Sequence, residues 1–379
     1  MERYTTIDVV KCFAVFIVVC LHTVTYGYDW QSSEHISFII GVFPRWVIPF
    51  FFIVSGYFFG QKVMNNFTSK AYFSRYMFKL IGLFITWYLF YLIYDLILRA
   101  VLAIYMGLNV SSELNQYIKT FVNIDALYYG EGMTSYHLWY LTALIWSIVI
   151  LYVFIRIRKL GLLLILGAIL NIIGLFGQTY TSIFHLPIQT KDALFFGVFY
   201  TTLGCYIAFH YKWIMQKVRG IKSRYFIYLI LLFSLIQVME RLITVFVLDG
   251  ERTIGDYYLS TAPLTLCFLF IALKNKSIGP KTFIAKMGKN AVGIYVSHLF
   301  IISIAALSLN FMGLEYLRNN ILFNLIFALV IFIFSYYFYK VFNLCLYRIN
   351  LLFSLLRFGN NTSKNSAPMM EEEVKKTAI

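Results

Sequence analysis

Six histidines and a small number of charges interrupt the long apolar runs of this 379-residue chain, and several stand where acid–base or anion-binding chemistry is possible. Asp8, Lys11 and His22 lie on the first run. Asp8 and Lys11 are i,i+3 neighbours able to pair on one helical face. Lys11 and His22 are eleven residues apart, close to three helical turns, so they share a face about 16 Å apart along the axis. Taken singly, Lys11 can snorkel to an interface and His22 can satisfy a neighbouring helix; together they favour a path through the protein. An imidazole whose ordinary pKa is near 6.5 can take a hydroxyl proton at neutral pH.

The second run, FIIGVFPRWVIPFFFIVSGYFFG, places Arg45 between Pro44 and Trp46, with Pro49 following. Two prolines free backbone carbonyls that a buried cation can use, and a kink there opens a cavity. Ser55 and Gly56 permit close helix approach. Arg75 and Lys79, at i,i+4, suit a polyphosphate or simply a basic interfacial face. His137 opens the string YHLWYL, in which Trp139 and its tyrosine neighbours also fit an interfacial aromatic belt. Glu240 and Arg241 are a pair or partners for other helices, and Asp192 reads as a first-turn carboxylate. Asp95 and Arg99 read as a structural i,i+4 pair. For His298, in NAVGIYVSHLF, a neutral buried histidine with one hydrogen bond is favoured. Tyr128, Tyr129 and Tyr136 can stack on sugar rings or sit at an interface.

These residues must be held by membrane helices. Hydrophobic residues make up 60% of the chain and charged residues 13%, against roughly 25% charged in soluble domains. Hydropathy predicts an all-α, polytopic membrane protein with about ten transmembrane helices near 5–26, 38–60, 79–100, 136–156, 160–177, 192–210, 224–248, 256–273, 288–308 and 320–345. Six prolines and no ten-residue alternation argue against a barrel. The net charge of +15 is a topology signal and not a nucleic-acid footprint. Basic residues fall on alternate loops, from Arg3, Lys62 and Lys70 through Arg156, Lys217, Lys276 and Lys289 to the tail beyond Arg348. The opposite loops hold little besides Lys119, Lys191, Arg252 and Arg318. The positive-inside rule then puts both termini in the cytoplasm. Residues 1–350 form one transmembrane domain, and 351–379 a disordered cytoplasmic tail. No cleavable signal peptide precedes the first helix. The five cysteines all fall in predicted helices, where a structural disulfide is not expected, and their spacing fits no metal cluster. A charge at mid-bilayer costs at least ~2.5–3.5 kcal/mol, so the intramembrane ionisable residues above are the candidates for function.

Five strings in order, DxxK-x10-H, IPFFFIVSGYFF, YFSRYMFKL, YHLWYL and GIYVSH, resemble the integral-membrane acyltransferase 3 family, of the stand-alone O-acetyltransferase type, from about residue 4 to 345. The resemblance implies a multi-pass protein of a bacterial plasma membrane that moves an acetyl group from cytoplasmic acetyl-CoA to a cell-surface or lipid-linked saccharide. Acetyl-CoA would be a substrate; no permanently bound cofactor or metal is implied. His22 is then base or transient acyl acceptor, and Arg45 or His137 faces the acceptor or the oxyanion. Lys11, Arg75 and Lys79 hold the phosphates of CoA, while Asp8, Ser55, Gly56, Trp139, Glu240, Arg241 and His298 occupy other motif positions. The family commonly has Arg where Lys11 stands, and Lys lacks the planar fork that grips a phosphate twice. A secondary transporter or glycan flippase is the alternative, although no convincing internal repeat supports it. A membrane-embedded sensor or scaffold would need no CoA site.

Overall fold

A computed structural model describes residues 4–24, 41–64, 70–121, 128–129, 134–248 and 255–358. Arg3, Arg252 and the polar tail from 359 onward lie outside the described residues. The elements are helical: α1 (Thr5–Val24), α2 (Val47–Met64), α3 (Lys70–Met106), α4 (Val110–Phe121), α5 (Trp139–Arg156), α6 (Leu160–Leu175), α7 (Val198–Phe209), α8 (Tyr211–Gly220), α9 (Ser223–Phe246), α10 (Thr261–Lys274), α11 (Phe283–Lys289), α12 (Ala291–Phe311) and α13 (Ile321–Phe358).

Seven of these, α1, α2, α3, α5, α9, α12 and α13, are long and apolar enough to cross a membrane, α2 and α5 together with the 3-10 turns before them. The count is eight if α7 and α8, bent by 86° at their junction, form one broken span. Every stretch expected to span contains an apolar helix. The difference from ten comes from α7, from α6 with 16 residues and from α10 with 14, helices shorter than the ~20 residues that a bilayer core requires.

Hydropathy also misjudged the helix ends. α3 begins at Lys70 rather than 79 and reaches Met106, and α13 continues to Phe358, through the expected boundary at 350. Hydropathy sees only lipid-matched residues, whereas backbone hydrogen bonding carries a helix on through polar turns. α4, α8 and α11 were not expected. α4 (VSSELNQYIKTF) and α8 (YKWIMQKVRG) are polar enough on one face to escape a membrane window.

Close backbone approach organises the interior. A Cβ on Gly56 would overlap the Thr201 carbonyl, and one on Gly204 the Ile53 carbonyl, so α2 and α7 meet backbone to backbone. Gly288 of α11 admits the Asp8 carbonyl of α1 in the same way. α3 turns Phe78, Ile81, Ile85, Leu89, Ile93 and Ile97 outward as a lipid-facing stripe, and buries Met77, Phe84, Trp87, Tyr91 and Asp95 at helical spacing on the other face.

Candidate active site

Three elements distant in sequence bring three histidines together. His22 ends α1, His137 lies in the 3-10 turn Tyr136–Leu138 that opens α5, and His298 sits within α12. The His22 and His298 ring centroids are 5.1 Å apart, and those of His137 and His298 5.2 Å. His298 is fully buried and His137 is 2% exposed, whereas His22 is half-buried.

Each imidazole is held by one nitrogen. His22 Nδ1 lies 2.9 Å from the Tyr136 hydroxyl. His137 Nε2 lies 3.3 Å from the Val296 carbonyl, and His298 Nδ1 is bonded to the Tyr295 carbonyl one turn back on α12. The Tyr295 hydroxyl donates to the His137 carbonyl, tying the turn to α12. Tyr91 of α3 donates to the Val296 carbonyl at 2.8 Å, accepts from Phe300 N–H, and sets its ring edge-on to His137.

Beside the histidines stands a charged group. Arg45 is in a 3-10 turn, Phe43–Trp46, immediately before α2; the expected helix start near 38 lies outside the described residues. Pro44 has no N–H for the Gly41 carbonyl, and Arg45 Nε donates to it at 2.9 Å. Arg45 Nη1 bonds Asp256 at 2.8 Å, and Lys191 Nζ reaches the same carboxylate at 3.1 Å. Burial alone would push the Asp256 carboxyl up; the two cations outweigh it and hold it below the ordinary carboxylate range. Both cations are near enough to act electrostatically on His22. Lys191 also lies 4.7 Å above the Trp139 ring.

The loop carrying Asp256 is pinned from α9. Glu240 accepts from Leu259 N–H at 2.9 Å, Ser260 N–H at 3.0 Å and Tyr180 OH at 2.9 Å, so it serves as a loop anchor. That loop occupies the end of the neighbouring span, which explains why α10 starts only at Thr261. Arg241 is buried in α9. Asp192 caps the π turn Ala193–Gly197 through Phe195 N–H, as expected of a first-turn carboxylate, and also accepts from Tyr128 OH at 2.7 Å. Burial, the larger effect, raises its carboxyl above the usual value despite those bonds. For Asp95 the structure gives partners other than the expected Arg99: Tyr117 OH at 2.8 Å and Thr134 Oγ1 at 2.5 Å, while Arg99 reaches Glu113 at 3.7 Å. Asp95, Arg99, Glu113 and Thr134 line a separate cavity of about 270 Å³ with Leu98, Leu102 and Met106.

At the other end of α1, Lys11 pairs with Asp8 at 3.2 Å, as the i,i+3 spacing predicts. Tyr57 donates to the Tyr4 hydroxyl at 3.3 Å, Gln61 donates to Tyr57 at 2.7 Å, and Lys276 lies 5.1 Å from the Tyr4 ring. Tyr72 and Tyr76 pack on Phe59, which puts Arg75 and Lys79 at this same end, both exposed on α3. Ser55 is within hydrogen-bonding reach of Tyr76 and Tyr140. Between the two ends the bundle is filled with rings. A void of about 10 Å³ survives there, lined by Ile48, Phe51, Tyr140, Val292 and Tyr295.

Charged and basic groups thus collect at the two ends of α1 and are separated by an aromatic layer. An acyltransferase-domain family model matches residues 4–340, nearly the whole helical unit, and the chain belongs to the acyltransferase 3 family. The domain that defines this family is an acyltransferase domain. Two relatives named as amino-acid racemases from Enterococcus faecalis are 27% and 26% identical to it, over 55% and 54% of this chain. A serine/alanine racemase from Enterococcus gallinarum is 27% identical over 52%. The chain spans under a third of the length of these relatives, 28% in the first case, and no solved structure matches it.

Sequence reasoning selected His22, Arg45 and His137 and favoured for His298 a buried histidine with one hydrogen bond, which is what the structure shows; it missed Asp256 and the linkage of Lys191 to Arg45. The clue for Lys191 was a cation on a loop that the positive-inside pattern otherwise leaves nearly bare.

Proposed function

We propose that the protein is an O-acetyltransferase of a bacterial plasma membrane, with both termini cytoplasmic and ten membrane-crossing segments. The three shorter apolar helices α6, α7 and α10 would complete the count as thinned or broken spans. Acetyl-CoA enters at the Lys11 end of α1, and a cell-surface or lipid-linked saccharide enters at the His22 end. The observation that carries this reading is the half-buried His22, anchored at Nδ1 by Tyr136 and flanked by Arg45 and Lys191. With Nδ1–H donating to the Tyr136 hydroxyl, Nε2 carries the lone pair that takes the proton of a sugar hydroxyl.

The hydroxyl oxygen attacks the thioester carbon, and the resulting oxyanion faces a cationic group, Arg45 with Lys191, in surroundings of low dielectric. Collapse expels the CoA thiolate, which receives the proton from His22. Lys11, Arg75 and Lys79 attract the phosphates of CoA at the opposite mouth. The pantetheine arm has to part Phe51, Tyr140 and Tyr295, the rings around the small void.

Purified protein in lipid vesicles, given radiolabelled acetyl-CoA and candidate oligosaccharides, tests this directly. Acetylated sugar from the wild type and none from His22→Ala is the expected result. Mass spectrometry of surface glycans from cells with and without the protein identifies the acceptor. Absence of acetyl-CoA binding would overturn the reading in favour of a transporter, which predicts none.

A further inference from the structure

The two buried histidines behind His22 have fixed tautomers. A carbonyl oxygen can only accept, so the nitrogen facing it carries the proton. His298 therefore has N–H at Nδ1, toward Tyr295, and a lone pair at Nε2; His137 has N–H at Nε2, toward Val296, and a lone pair at Nδ1. Both lone-pair nitrogens are buried and unpartnered, as neutral acceptors rarely are inside a protein. An oxyanion would be repelled by them. A proton donor would be welcomed.

The group presented to them is His22. A base histidine ordinarily leans on a carboxylate that stabilises the imidazolium as it forms. Among the described residues on that side, Asp192 is engaged by Tyr128, Asp256 by Arg45 and Lys191, and Glu240 by Leu259 and Ser260. Ring centroids about 5 Å apart are what two imidazoles joined by one N–H···N bond require, given normal hydrogen-bond lengths.

We propose that His298, with His137 behind it, plays the part of that carboxylate: a turn of the rings brings the Nδ1–H of the protonated His22 from Tyr136 to the lone pair at His298 Nε2. On the acyl-transfer reading, on which the kinetic half of this proposal rests, the proton leaves the sugar hydroxyl for His22 as the oxygen–acyl bond forms. His298 accepts the Nδ1–H of that imidazolium while the carbon–sulfur bond breaks, and the proton on Nε2 then passes to the thiolate. His298 is a positioning residue acting through His22; it touches neither substrate.

Two variants and one spectrum test this. His298→Phe keeps the bulk and removes the lone pair, whereas in His298→Asn the amide N–H can serve the Tyr295 carbonyl and the amide oxygen accepts from His22. In vesicles the Phe variant should lose at least about tenfold in kcat with KM for acetyl-CoA unchanged, and the Asn variant should recover a large part of the loss. Equal losses in the two variants, or a loss confined to KM, would overturn the role. A ¹⁵N-histidine spectrum of the whole wild-type chain in vesicles needs no acyl donor. It should show His298 as the Nδ1–H tautomer, assigned by its absence in the Asn variant, with an Nε2 signal that shifts when His22 is replaced by Ala. An Nε2–H tautomer, or an unmoved signal, overturns the proposal even if transfer is observed. The expected spectrum without any transfer would sink the acyl-transfer reading and uphold the histidine pairing.

Discussion

The Tyr136 hydroxyl and Nδ1 of His22 lie 2.9 Å apart, and this contact joins the far end of α1 to the turn that opens α5. On the acyl-transfer reading Nδ1–H donates to that hydroxyl, which leaves Nε2 to work. Replacing Tyr136 by Phe keeps the edge-to-face ring packing, centroids 5.7 Å apart, and removes only the hydrogen bond. Losing one such bond to a catalytic histidine corresponds to roughly a ten- to hundredfold fall in rate. Tyr136→Phe should therefore lower kcat for acetyl transfer by that factor while acetyl-CoA binding stays as in the wild type. Wild-type kcat in the variant would remove Tyr136 from the mechanism.

This contact also marks how far the sequence could be read. Asp8 with Lys11, and Gly56 with its close approach, were legible because helical spacing or a single residue type determines them. His22 and His137 stood out as polar residues at helix ends. His298 did not: within one helix it looks like any satisfied buried histidine, and only the packing of α12 against α1 and α5 reveals two others within about a ring's reach. The Lys191–Asp256–Arg45 group was hidden for a related reason. Two of its members sit on loops, where no period relates them, and their meeting depends on Glu240 pinning the loop before α10. The lengths of α3 and α13 were hidden because hydropathy reports lipid and not hydrogen bonding.

Asp256 makes an acid-sensitive contribution to the structure. Its carboxyl is held below the ordinary value, so the folded state binds its proton less readily than the unfolded chain. The stabilisation by Arg45 and Lys191 is then present above the unfolded value, about pH 4, and is lost as pH falls through the lower folded value. In vesicles, the unfolding temperature of Asp256→Asn should lie below that of the wild type at pH 7, with the two curves converging as the pH falls below about 4. A gap independent of pH would mean that Asp256 acts through its shape alone.

The α2–α7 contact leaves no room for a methyl group at either of two points. Gly56 meets the Thr201 carbonyl, and Gly204 meets the Ile53 carbonyl three residues earlier on α2. Both obstacles are backbone, so the helices must separate rather than a side chain turn aside. Gly56→Ala and Gly204→Ala should each cost about 1–3 kcal/mol in unfolding experiments, as overpacking generally does. The double variant should cost less than the sum, because one separation of the helices relieves both clashes. Strict additivity would show that the two contacts give way independently.

Lys11 and the pair Arg75 and Lys79 should affect the donor in distinguishable ways. Lys11 is held by Asp8 beside the Gly288 contact, with 18% of its side chain exposed, whereas Arg75 and Lys79 are exposed on α3. A partly buried cation acts at short range and is weakly screened; exposed cations act through a field that salt shortens to about 10 Å at 0.1 M. Lys11→Met should therefore raise KM for acetyl-CoA by a factor that hardly changes between 50 mM and 500 mM salt. Arg75→Gln combined with Lys79→Gln should raise KM at low salt and approach the wild type at high salt. Lys11→Arg supplies the planar fork that Lys lacks, and if position 11 touches a phosphate it should lower KM. If Lys11 serves only to hold Asp8, the Arg variant will leave KM unchanged, and the double variant alone will report where the phosphates of CoA arrive.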